Sequence, residues 1–286
     1  MKVTFLTLAY LGVATLEDAM KRIASFGYNG VDLWAYSPHL HPYHYNKAER
    51  ENIKKLANSL KIEITGISLP GPQTPHLNPS HPSEKVRKDA IQYFKDSVEL
   101  ALDVGAPFMP TVTGRLISGT SRKQARQWYK ECIITMLECI GDRNLTLGIH
   151  PLPPAESEIT TNIDDALELR EEIGSDKLKV IFECAGSNQL EPNFSDGLRK
   201  IGKHLGSVHA SDNDGTGGIG APQHNLPGTG TVDWERLFTV LKEMGYDGDI
   251  QVQIFPSFPF DVDGWAIKTL KFLSSFYDFK SKKYLI

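Results

Sequence analysis

Short runs of β-branched and apolar residues alternate along the chain with longer stretches in which apolar positions recur every three or four residues. The strand-like runs are Val3–Leu8, Gly30–Trp34, Glu63–Leu69, Phe108–Thr113, Thr146–His150, Lys179–Glu183, Gly206–Ala210 and Ile250–Phe255. The helical patterns between and after them are Thr15–Phe26, Ala48–Leu60, Ser83–Val104, Ser121–Ile140, Ile163–Ile173, Phe194–His204, Asp233–Met244 and Gly264–Phe276. Eight strand–helix units in 286 residues, about 36 residues each, predict an α/β fold, a (β/α)8 barrel. A doubly wound sheet of fewer strands is the competing layout. No Pro/Ser-rich linker or shift in composition divides the chain, so residues 1–286 are read as one domain. The segments Trp34–Lys47, rich in His, Tyr and Pro, and Leu69–Pro82, rich in Pro, are too ordered in composition for linkers and are expected to cover one mouth of the barrel.

In such a barrel, chemistry collects at the C-terminal ends of the strands. Four polar residues stand there at the ends of otherwise apolar runs: His150 after Leu-Thr-Leu-Gly-Ile, Glu183 after Val-Ile-Phe, His209 after Gly-Ser-Val, and Gln253 within Ile-Gln-Val-Gln-Ile. A buried polar group costs on the order of 1–3 kcal/mol unless a partner, water or a metal satisfies it. Two imidazoles, a carboxylate and an amide oxygen converging from four successive strands form a candidate set for one divalent ion, whereas each histidine alone would more often be a hydrogen-bonded core residue.

Other features narrow the chemistry by exclusion. Lys+Arg number 31 against 35 Asp+Glu, a net charge of −4, with no basic excess for a phosphate backbone, so no nucleic-acid partner is expected. No apolar run approaches the roughly 18–20 residues of a membrane helix, and the N-terminal run goes straight into a strand, so a cytoplasmic, membrane-free protein is expected. Three cysteines without a CxxC fit a reducing compartment, with Cys132 and Cys139 expected on the buried face of one helix. Gly215–Gly220 satisfies G-x-G-x-x-G, but the next helical pattern starts only near Asp233, so it is a loop and not a dinucleotide fingerprint. P-loop, HExxH and G-x-S-x-G motifs are absent.

The segment His209-Ala-Ser-Asp-Asn-Asp-Gly215, followed by Gln223-His224-Asn-Leu-Pro-Gly-Thr-Gly-Thr-Val-Asp-Trp234, resembles the seventh-strand signature of the xylose-isomerase-like barrels, a superfamily of sugar isomerases, sugar epimerases and inosose dehydratases. Gly27-Tyr-Asn-Gly-Val-Asp-Leu-Trp34 and Leu147-Gly-Ile-His-Pro-Leu-Pro153 are similar to its second and fifth strands. The resemblance implies a metal held by Glu, Asp, His and Glu on strands five to eight; the matching positions here are His150, Glu183, His209 and Gln253. Three carboxylates around a divalent ion leave −1, whereas one carboxylate leaves +1, a set better suited to Zn2+, Fe2+ or Co2+ than to Mg2+ or Mn2+ and a stronger Lewis acid. Mn2+ stays among the candidates through the family.

The resemblance also implies an enzyme acting on a keto-sugar or keto-polyol by proton abstraction next to a carbonyl, and a homo-oligomer. Gln253 is no base, so the two-carboxylate exchange of the epimerases is replaced by one base, drawn from His150, Glu183 and His224. A lyase or dehydratase, including a carbon-glycoside-cleaving type, and a non-catalytic sugar-binding subunit are the competing functions. The nuclease branch of similar barrels fits neither the charge nor the short ligand set. For substrate contacts the candidates are Trp34, Asp212 and His224, with Asp212 equally placed for plain loop capping. Tyr10 and Phe255 join Trp34 as an apolar wall or as packing. Glu156 and Glu158 read as a solvated segment leading into a helix.

Overall fold

The computed structural model describes residues 1–72, 74–190, 193–216, 224–255 and 261–279. Eight parallel strands lie in one sheet: β1 Lys2–Leu6, β2 Gly30–Trp34, β3 Glu63–Ser68, β4 Phe108–Pro110, β5 Thr146–Ile149, β6 Leu178–Glu183, β7 Leu205–Ala210 and β8 Asp249–Val252. Their order is β3-β2-β1-β8-β7-β6-β5-β4, so the first strand pairs the last and the sheet curls into a (β/α)8 barrel. The helices between them are α1 Leu16–Ser25, α2 Lys47–Leu60, α3 Glu84–Val104, α4 Arg122–Ile140, α5 Ile163–Ile173, α6 Cys184–Leu190, α7 Phe194–Ile201, α8 Trp234–Glu243 and α9 Val262–Leu273. Among the described residues no helix is long and apolar enough to cross a membrane.

The barrel is nearly closed. Seven parallel pairings join neighbours around it, and β3 and β4 meet at the remaining seam without a shared ladder among the described residues. Two features of sequence mark the seam. Pro107, just before β4, and Pro110, its last residue, offer no N–H to a ladder. Gly66 of β3 lies so close that a Cβ there would come within 3.1 Å of the Phe108 carbonyl and 2.3 Å of the Asp32 carboxylate.

Helix starts follow capping chemistry. Thr15, Ser121, Asn162, Asp233 and Asp261 each accept a first-turn N–H, and Asn46 with Glu49 forms a reciprocal capping box. α3 and α5 stop on Gly105 and Gly174 at positive φ.

Several apolar runs outlast their strands. The runs expected as Val3–Leu8, Phe108–Thr113 and Ile250–Phe255 leave the ladder at Leu6, Pro110 and Val252, because their last residues, among them Leu8, Val112 and Phe255, line a cavity at the barrel mouth. Alternation and hydrophobicity cannot separate a buried strand from a cavity wall. The short helix α6 was not anticipated: Cys-Ala-Gly-Ser-Asn-Gln-Leu has no apolar period. α9 starts earlier and ends earlier than the Gly264–Phe276 pattern, set by its Asp261 cap. Cys132 is buried in α4, but Cys139 is only half-buried, so the two do not share a fully covered face. Residues 217–220 of the Gly-rich run lie outside the described residues.

Beneath the mouth the barrel carries a polar floor. Gln251 Nε2 donates to Ser68 Oγ (3.1 Å), which donates to Asp32 Oδ1 (2.7 Å), all three buried. Burial pushes the Asp32 carboxyl up to about 7, the Ser68 hydrogen bond offsetting part of this and the charge of Asp249 adding to it. The folded chain therefore keeps this proton where the unfolded chain releases it near pH 4, so the contribution to stability is complete below that pH and is lost as pH rises through about 7. Asp32→Asn is expected to remove this dependence. Urea unfolding should find the variant close to wild type at pH 4 and gaining on it by on the order of 4 kcal/mol by pH 8; a difference independent of pH would contradict the assignment.

Candidate metal centre

Strand register brings the predicted donors to one level. Glu183, the last residue of β6, pairs with His209 of β7, and His209 pairs with Gln251 of β8, two residues before Gln253. His150 follows directly on β5. The Glu183 Oε2 oxygen lies 3.4 Å from His150 Nε2 and 3.5 Å from His209 Nδ1. One ligand atom from each of the three residues lies within 4.8 Å of the others, the spacing of a possible metal site. Glu183 and His209 are each 2% exposed, and the His150 side chain 11%.

Besides Trp34 Nε1 and His224 Nε2, four buried side-chain atoms here lack a hydrogen-bond partner: His150 Nε2, Glu183 Oε2, His209 Nδ1 and the Gln253 Oε1 oxygen. They are one donor atom from each of the four predicted ligands. Gln253, His150 and His209 line the same cavity. Orphaned polar atoms are uncommon in folded interiors, and such a group of lone-pair donors is what a cation would satisfy. The residues present therefore fit a divalent ion.

The other Glu183 oxygen is held by the protein. Oε1 accepts from Ser211 Oγ at 2.6 Å and from the Ala185 N–H at 3.4 Å, which leaves Oε2 facing the imidazoles. Burial pushes the Glu183 carboxyl up, but the imidazoles of His150 and His209 outweigh it and hold the group below the ordinary carboxylate range. Burial presses His209 down to about 4 against the pull of Glu183, so its ring is neutral near pH 7, the form that binds metals. Ser211 was not singled out from sequence; a serine two residues past a strand-end histidine carries no signal of its own.

The remaining candidates separate. His224 is buried, with Nδ1 3.3 Å from Ser211 Oγ and 3.9 Å from Glu183 Oε1, and Nε2 3.8 Å from Glu156 Oε1. Burial lowers its pKa, but Glu156 and Glu183 together leave it raised. Glu156, read from sequence as solvated, is instead 13% exposed and lines the cavity. Two bends of chain place it there: the loop after β5 folds back with the Glu156 and Ser157 N–H groups on the Pro153 carbonyl. Glu158 points elsewhere, paired with Arg115 at 2.8 Å. Trp34 and Phe255 line the cavity, and Phe255 packs edge-on against His224 with ring centroids 4.1 Å apart. Tyr10 does not join them, since it is buried in the core and donates to Asp263 at 2.9 Å.

Asp212, expected either to meet substrate or to cap, caps. Its carboxylate accepts from the N–H groups of Asn213 (3.0 Å), Gly228 (2.8 Å) and Val232 (3.1 Å) and from Trp234 Nε1 (3.0 Å). Its backbone bridges Asn225 in both directions. The glycines of the motif serve this clasp: Gly228 has φ +88°, and a Cβ on Gly230 would stand 2.1 Å from the Asn213 carbonyl and 2.4 Å from the Asp212 carboxylate. The clasp fixes residues 224–234 against the end of β7 and so sets His224 beside Ser211.

Comparison with known proteins agrees with this architecture. Over 242 residues the chain is 24% identical to fructoselysine 3-epimerase of Shigella flexneri, covering 84% of this chain and 85% of the relative. A crystal structure of D-psicose 3-epimerase in the presence of D-fructose superposes with a TM-score of 0.82 at 17% identity, over 96% of this chain and 99% of the other. The IOLI protein, crystallised with zinc, superposes at 0.78 and 14% identity, over 97% of this chain and 100% of the other. The family profile described as "Xylose isomerase-like TIM barrel" matches residues 20–276, and the chain belongs to that family, whose relatives include sugar epimerases and isomerases.

Proposed function

We propose that the protein is a metal-dependent isomerase of unphosphorylated or phosphorylated keto-sugars, working by removal of the proton on the carbon next to the carbonyl. The observation that carries this is the set of four orphaned donor atoms on His150, Glu183, His209 and Gln253 at one end of the barrel. A divalent ion held there, Zn2+, Fe2+, Co2+ or Mn2+, would supply Lewis acidity to the carbonyl and neighbouring hydroxyl oxygens of a ketose. The relatives support the reaction class: fructoselysine and psicose 3-epimerases, and a hydroxypyruvate isomerase 22% identical over 258 residues.

The protein residues divide the remaining work. His150 and Glu183, two of the three bases expected from sequence, direct their free atoms at the centre, and His224 stands behind Glu156. Glu156 is the one carboxylate among the described residues that line the cavity, and it takes the role of base. His224, between Glu156 and Glu183, shares the proton once Glu156 has accepted it. A base on one face returns the proton to that face, so moving it between adjacent carbons is favoured over inversion, which needs a second base opposite. Elimination uses the same opening step, and a leaving group next to the carbanionic carbon would divert the reaction to a lyase; the products distinguish the two.

Three outcomes are expected. Metal analysis of the purified protein should find close to one equivalent of a transition metal, with His209→Ala losing it and chelator lowering the melting temperature of wild type only. Metal at buffer level with a chelator-insensitive melt would favour a non-catalytic sugar binder. Glu156→Gln should keep its metal and lose at least ~100-fold in the exchange of ketose C–H for deuterium, followed by NMR in D2O; retained exchange would move the base elsewhere. Ser211→Ala, which leaves Glu183 Oε1 with only the Ala185 N–H, should weaken metal affinity on the order of ten-fold in competition with a chromogenic chelator, with far-UV circular dichroism unchanged.

A further inference from the structure

The cavity that opens on His150, His209 and Gln253 is chemically two-sided. Its volume is about 460 Å³, within the ~300–1,000 Å³ range of sites that enclose drug-sized molecules and roomy for a single sugar. One side is polar and carries His150, His209, Gln253 and Glu156, all from the ends of β5, β7 and β8 and the loop after β5. The other side is built by Leu8, Leu11, Trp34, Leu69, Pro72 and Val112, from the ends of β1 to β4 and the loops that follow them.

The apolar side offers little to hydroxyl groups. Of the hydroxyls that line it, Ser68 is engaged between Asp32 and Gln251 and Thr111 with Tyr129 (2.5 Å) and the Gly148 carbonyl (3.2 Å), which leaves Thr74 in the loop after β3. The Trp34 Nε1 donor is buried without a partner and remains for a single oxygen. A free ketose filling the cavity would have to press its outer hydroxyls against aliphatic groups, each unmatched one costing on the order of 1–3 kcal/mol. Phosphate is equally mismatched. No Lys or Arg is among the described lining residues. The nearest arginine in the loop after β4, Arg115, is committed to Glu158 and the Ala155 carbonyl.

We infer that the substrate is an unphosphorylated keto-sugar carrying an apolar aryl or alkyl substituent, with the sugar at the His150–Glu156 side and the substituent against the wall of Leu8, Leu11, Trp34, Leu69, Pro72 and Val112. The inference rests on the ketose reading of the site and narrows it. The apolar group contributes binding in proportion to the area it removes from water, while Trp34 Nε1 marks the boundary by donating to an oxygen of the sugar or of the linkage. The apolar overruns of the first and fourth strand-like patterns, Leu8 and Val112, thereby acquire a use past the ladder.

The test uses the full chain loaded with Zn2+ or Mn2+ and four probes: D-fructose, D-fructose 6-phosphate, 1-O-benzyl-D-fructose and 6-O-benzyl-D-fructose. Proton–deuterium exchange beside the carbonyl is followed by NMR, and binding by calorimetry. At least one benzyl ether should exceed D-fructose ten-fold or more in kcat/KM and in affinity, with a negative heat-capacity change, and the phosphate ester should gain nothing. Leu11→Ser and Val112→Ser should each lower the benzyl-to-fructose ratio. Equal or better performance by D-fructose or its phosphate would overturn the inference while leaving the ketose chemistry in place. Tighter binding of a benzyl ether without exchange on any probe would support the apolar subsite and count against the proposed reaction. Failure of every probe to bind would overturn both.

Discussion

A carboxylate taken wholly out of water is one of the most expensive things a protein interior can hold, and Glu183 is such a group. Its placement organises the upper barrel. Ser211 satisfies one oxygen; the other looks into a space bounded by two imidazoles whose ring nitrogens are themselves unsatisfied. With His209 pressed toward its neutral form, the Glu183 carboxylate stands beside a ring nitrogen that carries a lone pair. A buried carboxylate, lone pairs and enclosure coincide at one point, which gives cation binding there a physical cause beyond any likeness of sequence.

Around this charge the protein separates holding from reacting. The polar residues of the seventh-strand signature divide the same way: Asp212 faces away from the cavity and binds its own loop through four donors, while Ser211, one residue earlier, turns toward Glu183. The glycines between Pro227 and Thr231 are spaced for that clasp, since side chains at Gly228 and Gly230 would collide with Phe272 and with the Asn213 backbone. A motif that looks like a catalytic fingerprint is largely a mechanical one, whose product is the fixed position of His224.

The fold was legible because each strand–helix unit repeats the same burial problem, and all eight strands appear where the pattern put them. The four donors were legible for a related reason: a polar residue closing an apolar run in a parallel strand points into the barrel mouth. Glu156 was not, because its position depends on a loop that folds back on Pro153, and loop geometry leaves no period in the sequence. Asp212 was ambiguous for want of knowing which way a residue just past a strand turns. The lengths of the first, fourth and eighth strands were overestimated because cavity walls and strand cores use the same residues.

The β3–β4 seam gives the two halves of the mouth unequal stiffness. The donors come from β5 to β8, each paired to the next, with one register shift between β6 and β7, while the apolar wall comes from strands that include both lips of the seam. Backbone at an unladdered junction yields at less cost than backbone within a paired sheet. A pocket built this way can change its apolar wall near Gly66, Pro72 and Val112 without moving the four donor atoms on the other half of the barrel.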